Sequence, residues 1–241
     1  MPVGGLGTAV IRIGVDEAGK GPVLGPMIAA AVRVDPETLP DDVDDSKRVA
    51  PARREELAAA LRDREDVAVG LGVVEPAEID APDTDMNGLT VAAQARALAD
   101  LFSTADDDGP GAEATEDDPL EVVVDAGDVL AERFGRRVRE AVAERGGPAV
   151  DVTAEHGADE SYPIVGAASV VAKVERDARM AAVAERHEAD PGSGYPGDAT
   201  TGEFLEAYVD EHGDVPDCAR RSWRTCERLL DAAAQSGLDE F

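Results

Sequence analysis

Residues 9–34 read AVIRIGVDEAGKGPVLGPMIAAAVRV. Val10, Ile11, Ile13 and Val15 form a β-branched run that fits a strand over 9–16. A second apolar run over 23–34 follows a glycine-rich turn, so the two segments can lie side by side as strands. Further strands are expected over 67–74 (VAVGLGVV), 121–125 (EVVVD) and 149–153. Helical patterns alternate with them. Pro51 to Asp63 opens on proline and spaces Leu57 and Leu61 four apart. Residues 88–102 set Leu98, Leu101 and Phe102 on one face, and 129–143 repeat Leu130, Phe134 and Val138 at every fourth position. A long helix is expected over 163–188, then a Gly/Pro turn at 191–197, then further helix over 200–236. Three hairpin-like strands followed by alternating strands and helices give an α/β fold with a mixed sheet.

The 241 residues suffice for one domain, alone or with an appendage, and for a sizeable core. With 43% hydrophobic residues the chain as a whole is not of the disordered class. No apolar run nears the ~20 residues of a membrane-spanning helix. The start, MPVGGLGTAV, lacks a basic segment followed by an apolar one, so no secretory signal is expected. The two cysteines, Cys218 and Cys226, are too few and too close for a disulfide framework. A reducing cytoplasm is the expected compartment.

Acidic residues number 52 against 23 Lys plus Arg, giving a formal charge of −29. The only lysines are Lys20, Lys47 and Lys173. Acids spread along the whole chain, with lysine nearly absent, fit a halophile whose molar salt screens self-repulsion. Taken alone, this charge counts against a nucleic-acid partner. The stretch Thr104 to Pro119 (TADDDGPGAEATEDDP) is expected to be a flexible surface loop, or else an acidic lid.

The first strand ends in Asp16-Glu17-Ala18-Gly19-Lys20-Gly21-Pro22. Adjacent carboxylates on a regular strand point to opposite faces, and a bend would turn both toward one cleft. A solvated acidic turn is the simpler reading. Gly14 to Gly21 also comes close to the phosphate-binding loop GxxxxGK[ST]. Gly21 supplies no hydroxyl, however, Pro22 stands where a helix should begin, and two carboxylates would repel a triphosphate. Asp125 ends the strand VVVD and is either an acid aimed into a sheet-edge site or a turn cap. Asp159 precedes the long helix and is either a site acid or a capping acid. Asp177 follows Arg176 inside that helix and reads as structural, in an ion pair. Carboxylates from separate segments suit Mg²⁺ or Mn²⁺, whereas zinc would want the scattered His156, His187 and His212 brought together. His156 is a minor outer-shell candidate near Asp159. No Ser-His-Asp signature is present.

The stretches GVDEAGKGPVLGPM, DDSK, VDAGDVLAERFG, EHGADESYPIVGAASVVAKVERD, GSGYPGD and RRSW run from residue 14 to 223. In combination they resemble ribonuclease HII, the type 2 ribonuclease H family, and its archaeal branch in particular. The resemblance implies a ribonuclease H-like mixed sheet flanked by helices, with a catalytic domain over 1–188 and a C-terminal helical extension over 189–241. It implies cleavage of the RNA strand of RNA–DNA hybrids and incision 5′ of single ribonucleotides embedded in duplex DNA. The family's acidic set falls on Asp16, Glu17, Asp125 and Asp159, as catalytic and metal-binding residues for two Mn²⁺ or Mg²⁺ ions. Its glycine element, which contacts the ribonucleotide backbone and 2′-hydroxyl, falls on Gly19, Lys20 and Gly21. Its junction-sugar tyrosine falls on Tyr195. Lys47 and Lys173 are candidate phosphate contacts.

One departure is Lys20, where the family has arginine; lysine offers a point charge without a planar fork. All three lysines of this arginine-rich chain fall within the matching motifs, which independently marks those positions. The implied chemistry is two-metal hydrolysis leaving 3′-hydroxyl and 5′-phosphate ends. Arg53, Arg54, Arg220, Arg221 and Arg224 are expected either to form a positive rim for the duplex or to be paired with acids. The chain is expected to act as a monomer. Its end, GLDEF, has no glutamine-led sliding-clamp motif.

Overall fold

The computed structural model describes residues 12–40, 50–104 and 119–239. One mixed sheet contains β1 (Arg12–Ala18), β2 (Met27–Val34), β3 (Ala68–Val74), β4 (Leu120–Asp125) and β5 (Val150–Glu155), in the order β3-β2-β1-β4-β5. β2 pairs antiparallel with both β1 and β3, while β4 runs parallel to both β1 and β5. The α-helices are α1 (Pro51–Arg62), α2 (Pro76–Ile79), α3 (Met86–Thr104), α4 (Ala131–Glu144), α5 (Ala158–Ser161), α6 (Pro163–His187), α7 (Ala199–His212) and α8 (Arg224–Asp239). Among the described residues no helix is long and apolar enough to cross a membrane.

Side chains alternate across a strand, and the sheet uses both faces. Ile13 and Val15 of β1 join Val122 and Val124 of β4 against α3 and α4, through Leu98, Leu101, Phe134 and Val138. Ala30, Val32 and Val123 face the other way, onto Leu57 and Leu61 of α1 and Ile164 and Val171 of α6. Gly14 lies where α6 crosses β1. A Cβ there would sit 2.3 Å from the Ile164 carbonyl oxygen, so only glycine allows this contact. The close crossing sets the first turns of α6 over the end of β1, where the acidic pair stands.

The expected strands and helices form, with ends displaced by a few residues. The second strand begins at Met27 instead of residue 23. Gly25 takes φ 79°, and Leu24 bridges to Ala219 and not to the neighbouring strand. The helix expected over 200–236 is two helices. Gly213, at φ 72°, caps α7, and the chain returns along the glycine-rich loop before α8 begins. A third apolar cluster joins Val23 and Leu24 to Met180, Leu205, Cys218 and Cys226, so the C-terminal segment packs onto that loop. Residues 9–11, Lys47 and most of the acidic stretch after Thr104 lie outside the described residues.

Candidate active site

Val15 stands opposite Val124 where β1 and β4 run parallel. The residues that follow, Asp16 and Asp125, are therefore neighbours at the carboxyl ends of two adjacent strands. In open α/β sheets this is where ligands bind. β1 keeps its pairing with β2 through Ala18, so no bend turns Asp16 and Glu17 to the same face. Asp16 instead hydrogen-bonds Ser169 of α6, while Glu17 Oε2 accepts from Gln94 Nε2 of α3 at 2.8 Å. The pair straddles the strand end, one acid anchored to each flanking helix.

Asp125 Oδ1 accepts the Ala158 N–H at 2.8 Å. That bond holds the first residue of α5, and the Asp125 carboxylate also raises the neighbouring acids Asp16 and Glu17. The same bond ties the segment carrying the buried Asp159 to the end of β4. Burial, then repulsion from Glu17 and Asp125, pushes the Asp16 carboxyl well above the usual carboxylate range, against the Ser169 hydrogen bond. Burial likewise lifts Glu17 to about 7, helped by Asp125 and Asp159 and opposed by the Gln94 hydrogen bond and the charge of Lys20. The four carboxylates therefore share one electrostatic environment that is short of positive charge. An all-oxygen donor set of this kind fits a hard divalent cation such as Mg²⁺ or Mn²⁺.

Gly19, Lys20, Gly21, Lys173 and Tyr195 lie beside this cluster. Gly19 leaves β1 at φ 90°, and a Cβ there would lie 2.7 Å from the Pro26 carbonyl oxygen and from Arg176 Cδ. The atom nearest the missing side chain of Gly21 is Tyr195 Cε1, at 3.7 Å, and Tyr195 is 47% exposed. Lys20 folds its ammonium onto the Gly127 carbonyl and toward Asn87 Oδ1 at 3.5 Å. Lys173 Nζ donates to Ser169 Oγ at 2.9 Å, and through that hydroxyl it is linked to Asp16.

The arginine rim does not form as one surface. Arg53 pairs with Glu56, Arg54 with Asp177 and Arg221 with Asp214. Arg220 is fully buried, and of the five only Arg224 is exposed without an ion pair among the described residues. Asp177 is in an ion pair, as its position predicted. His156 Nε2 lies 3.3 Å from the Val129 carbonyl oxygen. Among the described residues, the compact set of possible metal-ligating atoms is a different one: His187, Asp217 and Cys218, within 4.8 Å of one another. It lies eighteen residues along α6 from Ser169, about 27 Å of helix, and Asp217 is already paired with Arg186 at 2.8 Å. No three of the four site carboxylates offer oxygens that close, so they form an open group and not a closed cage.

Sequence reasoning passed over Gln94 and Arg176. Gln94 is fully buried, donates to both Glu17 and the Asp125 carbonyl, and leaves its own Oε1 without a partner. The one available signal was a lone amide among the small apolar residues of TVAAQARAL. Arg176 is buried beneath Gly19 and Tyr195, and the family motif was the only hint of it.

A family model described as ribonuclease HII matches residues 13–226. A protein named ribonuclease HII from Halobacterium salinarum is 54% identical over 230 residues, covering 95% of this chain and 99% of its own length. The solved ribonuclease H2 of Pyrococcus horikoshii OT3 superposes with a TM-score of 0.79 at 33% identity, over 93% of this chain and 99% of that one. An Archaeoglobus fulgidus ribonuclease HII, solved in complex with PCNA, gives 0.72 at 33% identity, over 89% and 95%.

Proposed function

The chain belongs to the ribonuclease HII family, endoribonucleases that act on RNA–DNA hybrids, and we propose how its own residues carry out that reaction. The substrates are the RNA strand of a hybrid and a single ribonucleotide embedded in duplex DNA, cut on its 5′ side. Asp16, Glu17, Asp125 and Asp159 would hold two Mg²⁺ or Mn²⁺ ions, which when bound would supply an activated water and stabilise the departing 3′ oxygen. The observation that carries this reading is the acidic group at the ends of β1 and β4, where Asp16 and Glu17 are each anchored to a flanking helix and Asp125 ties in the segment bearing Asp159.

Gln94 and Ser169 fix Glu17 and Asp16 from opposite sides of the sheet. The capping bond from Asp125 positions the segment bearing Asp159. Gly19 and Gly21 let the main chain approach the ribonucleotide, where the 2′-hydroxyl tells RNA from DNA. Tyr195 offers an exposed ring for the junction sugar. Lys20 and Lys173 place positive charge at the edge of the acidic group, and Lys47 is a further phosphate contact. Residues 1–188 make the catalytic unit, completed by the extension over 189–241. The enzyme acts as a cytoplasmic monomer in ribonucleotide and primer removal. The PCNA complex belongs to the Archaeoglobus relative.

The test is a duplex with one internal ribonucleotide, incubated in molar KCl with Mn²⁺ or Mg²⁺. The expected product is one cut on the 5′ side, leaving 3′-hydroxyl and 5′-phosphate ends. A cut 3′ of the ribonucleotide, or cyclic-phosphate ends, would refute the reading.

A further inference from the structure

Arg220 is the largest fully buried side chain of the described protein, and among the described residues neither it nor Arg176 is in an ion pair with a carboxylate. Burying a guanidinium without a counter-charge is costly unless its donors are met. In Arg220 they are met by main-chain carbonyls about two hundred residues away in sequence. Nε and Nη2 donate to Gly25 O at 3.1 and 3.0 Å, Nη1 donates to Lys20 O at 3.0 Å, and Nη2 also donates to Gly19 O. Trp223, its ring 5.1 Å from the Arg220 guanidinium carbon, donates from Nε1 to Gly21 O at 3.4 Å. Three successive carbonyls, Gly19, Lys20 and Gly21, are thus drawn toward one buried arginine and its tryptophan.

Peptide geometry gives this arrangement a consequence. In a trans peptide the C=O and the following N–H point in opposite directions, and the described chain has no cis peptide. Pinning the Gly19 and Lys20 oxygens inward turns the Lys20 and Gly21 N–H groups outward. Neither N–H has a hydrogen-bond partner among the described residues. The third peptide ends in Pro22, which has no N–H. The outcome is a pair of adjacent free donors, an anion-binding concavity of the kind successive N–H groups make. Tyr195 lies against the same loop, its Cε1 3.7 Å from where a Gly21 Cβ would stand. Arg176 packs against Gly19 and ties the Tyr195 turn beside it: a Gly19 Cβ would lie 2.7 Å from Arg176 Cδ, Nη2 donates to Ser193 O at 3.2 Å, and the guanidinium carbon lies 5.7 Å from the centre of the Tyr195 ring.

We propose that Arg220, seconded by Trp223, is the positioning residue for ribonucleotide recognition: by holding three loop carbonyls inward it presents the Lys20 and Gly21 N–H groups to the 2′-hydroxyl and its adjoining phosphate. Arg220 touches no substrate itself. The inference rests on the reading of the Gly19–Gly21 loop given under Proposed function.

The test measures binding in an Asp125→Asn background, so that nothing is cut. Dissociation constants are compared for a duplex with one ribonucleotide and the same duplex in all-DNA form. Arg220→Lys keeps the charge but cannot fork to three carbonyls. Trp223→Phe keeps an aromatic ring beside Arg220 while removing the Nε1 donor and part of the indole's bulk, so it serves if the lysine variant fails to fold. The expected result is that the preference for the ribonucleotide falls about tenfold or more in Arg220→Lys and by a smaller factor in Trp223→Phe, while all-DNA affinity is little changed. A purely structural role would lower melting temperature and leave that ratio alone. Folded variants with the parental ratio overturn the inference. A parent protein without any preference overturns the functional reading, and this inference with it.

Discussion

Glu17 shows at the scale of one residue what the site costs the fold. Its carboxyl is lifted to about 7, first by burial, so the folded chain holds a proton there that the unfolded chain releases near pH 4.5. Between those values the native state binds more protons, so stability falls as pH rises through the window and stays lower above it. Asp16, raised in the same direction, adds to this slope. Glu17→Gln should therefore raise the melting temperature of the metal-free protein at pH 8 by roughly 3–6 °C and leave it nearly unchanged at pH 4. Calorimetry at the two pH values checks this, and an equal gain at both would contradict it. Gln94 is the residue that holds Glu17 in place. Gln94→Ala should weaken Mn²⁺ activation about 10- to 100-fold, as the loss of an outer-shell partner commonly does. A Mn²⁺ titration of hybrid cleavage with an unchanged midpoint would show that Gln94 does not orient the acid.

Elements place these residues, and Gly14 shows how tightly. Gly14→Ala would drive a methyl into the Ile164 carbonyl and push α6 off β1. The expected loss is about 1–3 kcal/mol, or roughly 3–10 °C in melting temperature, with hybrid cleavage reduced because Ser169 moves with the helix. Thermal melts and cleavage rates on the purified variant test both halves of that expectation.

Much of this layer was legible in the sequence. The β-branched run before Asp16, the VVVD strand and the proline-led α6 each announce themselves by composition and period. The acids at strand ends were legible for the same reason, since a charge that closes an apolar strand marks the sheet's edge. The partners of those acids were not. Gln94 looks like any helix amide, and Arg220 looks like a surface cation in a run of arginines. Burial of a polar side chain is decided by contacts across the whole chain, here about two hundred residues apart for Arg220 and Gly19. The break between α7 and α8 was also missed. Gly213 in the left-handed conformation ends α7, and the intervening segment is needed as a partner for the glycine-rich loop.

For the whole molecule the governing quantity is a charge of −29. The ion pairs on the surface, such as Arg53–Glu56 and Arg136–Glu140, leave most of the acids uncompensated, and exposed pairs contribute little each. Screening then decides whether the compact state tolerates its own repulsion. The acidic, lysine-poor composition predicts a melting temperature that climbs steadily with KCl from about 0.2 M toward molar concentrations. A flat profile would detach the acidity from salt adaptation. Since no continuous positive rim forms, substrate affinity should fall with salt less steeply than the strong dependence typical of basic nucleic-acid-binding proteins. A filter-binding series across KCl concentrations measures that slope directly.

The proposed reaction requires Asp16, Glu17, Asp125 and Asp159 to act together. The decisive measurement is the Mn²⁺-dependent cleavage rate of an RNA–DNA hybrid by Asp16→Asn, Glu17→Gln, Asp125→Asn and Asp159→Asn, beside Asp177→Asn as the control. Asp177 lies on α6 but is paired with Arg54, outside the group. Each of the four should lose about a hundredfold or more while remaining folded, and the control should keep nearly the parental rate. Any one of the four cleaving at the parental rate, or the control losing as much as they do, would contradict the assignment.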